Sequence, residues 1–318
     1  MLAPMEGVGD YSFRKAMASV GGFDEAIRDF IRVPRNCHVK SLAAVYDADE
    51  LAPIPMAAQI MGGDIDLMCS MAQEMVFRKA QHVNINCGCP SNTVTGRGAG
   101  SSLLKDPTFL HDIVREVVAA VSATGVTVSV KMRSGFDDTS LFKENLCAVQ
   151  ESGAHYVIVH PRTKVEGYGP PANWSLIAEA KSILTIPVVG NGDILNVEDA
   201  LKMMRETKCD ALMIGRGSVI NPFIFHQIRS QFAGRIYTAQ WDDLVKFLDL
   251  FLKSMPEAIP TKTRVNKLKQ LMGFLFKGSE RLAQRRNDIL TFTCSEPAAL
   301  LQFALPILHP VAPAPLMP

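Results

Sequence analysis

The densest chemical signal in the chain is the run Asn84-Ile85-Asn86-Cys87-Gly88-Cys89-Pro90-Ser91, continued by Asn92-Thr93-Val94-Thr95-Gly96-Arg97-Gly98-Ala99-Gly100. Three closely spaced glycines and a proline are incompatible with ordinary helix, so the run reads as a loop. Its two cysteines could be buried small hydrophobes, metal ligands or reactive thiols. A metal would need a second ligand pair at suitable spacing, which the sequence lacks, so no metal is expected. The two side chains are expected to point in opposite directions if the backbone stays roughly extended. Cys89 is then the functional thiol and Cys87 the structural one. An unperturbed thiol has a pKa of about 8.5 and still carries a proton to donate near neutrality.

Further along, Lys131-Met132-Arg133 follows an apolar β-branched run, and His160-Pro161-Arg162-Thr163-Lys164 follows another. Lys131 suits a fixed positive charge or a Schiff-base amine. Asn191-Gly192-Asp193 and Gly215-Arg216-Gly217-Ser218 end two more such runs. Glycine amides at a helix start bind phosphate, and Arg216 can add a charged contact. A phosphate site, a lysine and a cysteine around one rim suit a phosphorylated cofactor with a reactive ring. FMN is the natural candidate, with Lys131 stabilising negative charge near N1 and O2 of its reduced form.

These residues need a scaffold that brings them to one rim. Strand-like runs centre near Leu2, Ile27, Ala57, Val83, Val128, Val157, Val188 and Leu212, at spacings close to one βα unit. Helical spacing marks 109–121 and 141–149, and Asp106-Pro107 is a helix start. Eight alternating units predict an α/β fold, a (β/α)8 TIM barrel, over a doubly wound sheet. The chemistry falls at the C-terminal ends of nearly all the strands, where barrel enzymes keep their sites. Leu244, Phe247, Leu248 and Phe251, then Leu268, Leu271, Met272 and Leu275, lie on helical faces. The expected organisation is a catalytic barrel over 1–235, a small C-terminal helical domain over 236–295 and a proline-rich tail over 296–318.

The 318 residues are 47% apolar and 20% charged, a globular composition. There is no apolar run of transmembrane length and no signal peptide, so the expected location is cytoplasmic. Seven cysteines without a regular framework are expected to be free thiols. The net charge is only +1, so a polyanion would need a local patch. One exists between Thr261 and Arg286, where eight basic residues face the single acid Glu280. That sign bias predicts docking of a nucleic-acid backbone by Lys267, Lys269, Arg281 and Arg285.

Ala3-Pro4-Met5-Glu6-Gly7-Val8, Gln59-Ile60-Met61-Gly62 and Asn86-Cys87-Gly88-Cys89-Pro90-Ser91 together resemble the bacterial tRNA-dihydrouridine synthases. The four rim motifs after the later strands match in the same order, so the resemblance covers residues 1 to about 220. Asn-Cys-Gly-Cys-Pro-Ser with an early Met-Glu-Gly looks most like the subfamily acting on U16. The resemblance implies a barrel with a C-terminal helical domain, FMN, NADPH as reductant and tRNA as substrate. It implies that Pro4, Met5, Glu6, Gln59, Lys131, His160, Asn191, Gly192, Asp193, Gly215 and Arg216 hold FMN. Cys89 matches the catalytic cysteine and Asn86 the active-site asparagine. Arg32 resembles a tRNA-contacting residue, and Asn86, Arg133 and Arg162 are expected near the target base.

The implied reaction has two halves: reduction of FMN by NADPH, then hydride transfer to C6 of a uracil taken out of the tRNA fold. Cys89 gives a proton to C5 on the opposite side. A monomer is expected, without membrane or metal. Two departures stand out. The chain begins almost at its first motif, which leaves the first strand frayed or the start truncated, and the proline-rich end is unlike the family's. The rival readings are an FMN barrel reductase of a small pyrimidine or enone, an inactive RNA-binding relative and, more distantly, a Schiff-base aldolase through Lys131.

Overall fold

A computed structural model describes residues 1–96, 98–169 and 171–309. Parallel strands β1 (Ala26–Ile27), β2 (Ile31–Val33), β3 (Met56–Gly62), β4 (His82–Cys87), β5 (Thr127–Gly135), β6 (Tyr156–Thr163), β7 (Val188–Asn191) and β8 (Ala211–Met213) form one sheet. Its order is β1-β3-β4-β5-β6-β7-β8, with β2 also paired to β3. Leu2 closes the ring by parallel bridges to Ala26 and to Ile214. The chain is therefore a (β/α)8 barrel, and each expected strand centre falls on a strand or on the Leu2 bridges. The first strand is reduced to those bridges, and β1 and β2 are the two ends of one expected strand interrupted at residues 28–30.

Strands covered on both faces read as near-continuous apolar runs. The inward positions Ala3, Ile27, Ala57, Ile158, Val189 and Met213 pack into one buried apolar cluster inside the barrel. The helix Pro107–Val121 starts where its sequence says: the Asp106 side chain accepts from Phe109 N–H, with proline in the first turn. It buries Leu110, Ile113, Val114, Val117 and Val121.

The described residues group into two compact units. One holds Met1–Pro4, Asp24–Asp193 and Asp199–Ile214; the other holds Met5–Phe23, Ile194–Glu198 and the chain from Gly215 onward. The second unit is helical. Trp241–Lys253 buries Leu244, Phe247, Leu248 and Phe251, and Thr261–Leu275 buries Leu268, Leu271, Met272 and Leu275. Phe13 of the helix Tyr11–Val20 meets Phe247 edge-on at 6.4 Å. The stretch from Glu296 corrects the expected tail: Pro297–Leu308 is helix, buries Leu300, Ala304 and Leu308, and keeps Pro306 inside it. Pro297 sits in the first turn, where a proline lacks no needed N–H, so prolines there do not signal a tail. The rest of that tail, 310–318, lies outside the described residues, as does Arg97 of the glycine-rich loop. Among the described residues no helix is long and apolar enough to cross a membrane.

Candidate active site

Strand β4 ends at Cys87, and the next residues turn around Asn86. Its Oδ1 accepts from the N–H of Gly88 at 2.9 Å and of Cys89 at 2.8 Å. The N–H and Oγ of Ser101 both donate to Cys89 O, at 3.2 and 2.9 Å. The loop returns here through Gly100, whose φ is +61°. A Cβ there would approach Val94 Cγ1 to 2.9 Å and Cys89 O to 3.0 Å, so only glycine fits. Cys89 is 6% exposed and packs against Met61, Val94 and Ala99.

Residues two apart on an extended strand share a face. Separation of the two cysteines therefore depends on this turn rather than on strand geometry. Cys87 ends the buried outward row of β4, and burial alone pushes its thiol up to about 12. Cys89 instead lies close enough to Lys131 and Arg133 for its charge to act on both. All seven cysteines are free.

In the parallel register Asn86 pairs with Lys131, and Arg133 with His160. Burial, reinforced by Arg133, lowers the Lys131 ammonium to about 8. Arg133 is 2% exposed. Its Nε donates to Gly88 O at 2.8 Å, and its Nη1 to Thr163 O at 2.8 Å and Gly167 O at 2.9 Å. The guanidinium thus ties the cysteine loop to the loop after β6, beneath the Tyr168 ring at 5.4 Å. Burial moves it down from the usual arginine value. Tyr168 is exposed and also lies 5.9 Å from the His160 ring.

Arg162 is buried and pairs with Asp193, whose Oδ2 also accepts from Ala172 N–H at 2.8 Å. Arg162 therefore braces the loop after β7. Asn191 Nδ2 donates to Met213 O at 2.8 Å. Gly192 has φ +114°, and a Cβ would meet His160 Cδ2 at 3.0 Å, which brings the backbone close to that ring. Gln59 is fully buried, and its Oε1 accepts from Asn86 Nδ2 at 2.9 Å. Arg32 donates to Thr93 O at 2.9 Å and, with Arg35, Met61 and Ala99, lines a cavity of about 440 Å³.

Pro4 ends the first segment of the barrel unit. In the helical unit, Met5 O accepts from the N–H of Val8 and Gly9, and Glu6 is exposed. Gly215 precedes the short helix Arg216–Ile220, and its carbonyl accepts from Ser218 N–H at 2.9 Å and from Ser218 Oγ at 2.8 Å. Lys267 pairs with Asp10, and Arg285 with Asp288. Lys269 donates to Leu290 O at 3.0 Å, and Arg281 to Ile307 O at 2.7 Å.

The structure thus brings Gln59, Asn86, Cys89, Lys131, Arg133 and His160 to one end of the barrel. Sequence reasoning missed Tyr168, whose signal is a lone aromatic in a Gly-Tyr-Gly turn after β6. It also missed Asn84 and His82, which alternate with apolar residues ahead of Asn86 on β4.

The family model described as dihydrouridine synthase (Dus) matches residues 1–298. A protein of Ralstonia nicotianae named tRNA-dihydrouridine(16) synthase is 35% identical over 295 residues, spanning 91% of this chain and 90% of its own. A Pseudomonas putida protein of the same name is 35% identical over 286 residues, spanning 86% of this chain and 87% of its own. Among solved structures, histamine dehydrogenase from Rhizobium sp. 4-9 superposes with a TM-score of 0.55 at 12% identity. The match spans 85% of this chain and 48% of that one, a likeness of fold alone.

Proposed function

The chain belongs to the dihydrouridine synthase family, and on that premise we propose that it reduces the C5–C6 bond of uridine 16 in tRNA. FMN is the bound flavin and NADPH the reductant. The observation that carries this reading is Cys89 at the barrel mouth, its backbone N–H held by Asn86 and its thiol within electrostatic reach of Lys131 and Arg133.

The residues fit the flavin. Among the described residues no acid or hydrogen-bond acceptor is paired with the Lys131 ammonium, while burial and Arg133 disfavour its charge. An anionic N1 and O2 edge would offset that cost. Pro4, Gln59, His160, Asn191, Gly192 and Asp193 on the barrel unit are the residues proposed to hold FMN, and the resemblance adds Met5, Glu6, Gly215 and Arg216. The bound flavin supplies a hydride to uracil C6. Cys89 gives its Sγ proton to C5, and the sulfur left behind faces two cations. Arg32, Asn86 and Tyr168 are proposed near the target nucleotide. Arg133 and Arg162 support the surrounding loops, and the basic helices from Thr261 hold the tRNA backbone. The proposed working form is a cytoplasmic monomer, with residues 1–235 catalytic and 236–295 serving tRNA.

The test is reconstitution with FMN, followed by NADPH and tRNA lacking dihydrouridine. A flavin absorption spectrum and dihydrouridine at position 16 are expected. A reconstituted protein that reduces free uracil or an enone but leaves tRNA unmodified would overturn the reading.

A further inference from the structure

Beneath the cysteine loop, six side chains form one continuous hydrogen-bonded line through the barrel. Asn86 Nδ2 reaches Gln59 Oε1 at 2.9 Å, and Gln59 Nε2 reaches Asn84 Oδ1 at 2.6 Å. Asn84 Nδ2 donates to Ser129 Oγ at 2.7 Å, and Ser129 Oγ lies 2.7 Å from His82 Nε2. His82 Nδ1 lies 2.7 Å from Glu25 Oε1. Gln59, Asn84 and Ser129 are fully buried, and His82 and Asn86 nearly so. The Glu25 end opens on a cavity of about 570 Å³, lined also by Tyr46, Lys79 and Tyr156. The Tyr156 hydroxyl lies 3.4 Å from Glu25 Oε2 and 3.2 Å from His82 Nε2.

The two ends fix the direction of every link. A carboxylate only accepts, so a neutral His82 presents Nδ1–H to Glu25 and accepts at Nε2. Ser129 then donates to His82 and accepts from Asn84. The amides follow in turn, and Asn86 is left with Oδ1 toward the loop. There it meets two backbone N–H groups, which only donate. Reversing the amides would set an NH2 group against those two donors. Without the His82 acceptor, Ser129 is free to donate to Asn84 Oδ1, so the reversed arrangement loses one of its two penalties and only the loop N–H groups still oppose it.

We propose that His82 is a positioning residue for Cys89. It touches no substrate and acts through Ser129, Asn84, Gln59 and Asn86 to set the polarity of the amide that holds the Cys89 N–H. The proposal rests on the reading of Cys89 as the proton donor.

The experiment compares His82→Leu, Ser129→Ala, His82→Gln and, as a control on the outward face of the same strand, Val83→Ala. Each is loaded with FMN. Flavin reduction by NADPH, kcat and KM for tRNA, and the rate of Cys89 alkylation by iodoacetamide are measured. His82→Leu and Ser129→Ala should lower kcat about tenfold, as expected for a small misplacement of a reacting group. KM and flavin reduction should hold, and Cys89 should alkylate faster. Glutamine can donate at one end and accept at the other, so His82→Gln should recover most of kcat. Wild-type kcat in His82→Leu, no recovery by His82→Gln, or an equal slowing by Val83→Ala would each overturn the proposal. Should the wild-type protein form no dihydrouridine, the functional reading fails, while the alkylation rates still decide whether His82 positions Cys89.

Discussion

Arg133 Nε donates to Gly88 O at 2.8 Å, which places a buried guanidinium on the carbonyl immediately before Cys89. The same side chain holds Thr163 O and Gly167 O, so three carbonyls from two rim loops share one planar fork. A lysine keeps the charge but not the fork. Arg133→Lys should cost about 2–3 kcal/mol of stability, the range for losing a hydrogen bond from a charged donor and stranding its partner. Denaturant unfolding reads that loss. Dihydrouridine formation should fall with it, because the cysteine loop loses its second tether. Full activity in this variant would show that the loop is fixed without Arg133.

Cys89→Ala should leave the flavin bound and reducible by NADPH and remove most dihydrouridine formation. Positioned proton transfer contributes about 10²- to 10⁴-fold, so the loss should fall in that range and reside in the tRNA half-reaction. Stopped-flow monitoring of flavin reduction and of its reoxidation by tRNA separates the halves. A mutant that forms dihydrouridine at near the normal rate at neutral pH would remove Cys89 from the mechanism.

Lys131 gives a pH signature. Its folded value is lowered toward about 8 by burial and Arg133. Between about 8 and the ordinary lysine value near 10.4 the unfolded chain therefore binds more protons. Stability of the flavin-free protein should rise with pH across that window, relative to Lys131→Met. FMN binding should show the opposite trend. If the flavin needs the ammonium form, its affinity weakens above pH 8 by at most about tenfold per unit, because one proton is involved. Lys131→Met should bind FMN more weakly and without that slope. Titrations at pH 7, 8 and 9 decide it; parallel profiles for the two proteins would detach Lys131 from the flavin.

The barrel was legible because its strands are covered on both faces, which leaves eight short apolar runs at βα spacing. Leu2 was placed correctly even though it contributes two isolated bridges rather than a strand. The Cys89 loop was legible from glycine and proline alone. The polar row His82, Asn84, Asn86 was not, because Asn84 and Asn86 read as the start of the glycine-rich loop, whereas β4 continues through Cys87. Counting every second residue would have exposed an inward polar face. Arg162 looked available in sequence, but Asp193, thirty-one residues on, takes its guanidinium, a long-range pairing no local pattern reveals. Prolines misled at the end of the chain, since Pro297 starts a helix and Pro306 sits within it.

The basic stretch of the C-terminal helices is also less bare than its sequence suggests. Eight cations face one acid between residues 261 and 286, but Asp10 and Asp288 lie outside that window and pair with Lys267 and Arg285. Lys267 and Lys269 are half-buried, and Lys269 holds the carbonyl of Leu290, so removing either also disturbs the helices. Lys262, Lys277, Arg281 and Arg285 are exposed, and exposed ion pairs are worth little, so these four can turn to phosphates at small cost. Changing all four to glutamine should weaken tRNA binding and flatten its dependence on salt. Each phosphate left without its cation takes about 0.7–0.9 from the slope of log affinity against log salt, so the slope should drop by about three. FMN content and flavin reduction by NADPH should be unchanged, because none of the four is among the residues proposed to hold the flavin. Binding measured from 50 to 200 mM salt tests this. A quadruple variant with the wild-type affinity and slope would mean that these helices only carry solvated charge and that the tRNA backbone is held elsewhere.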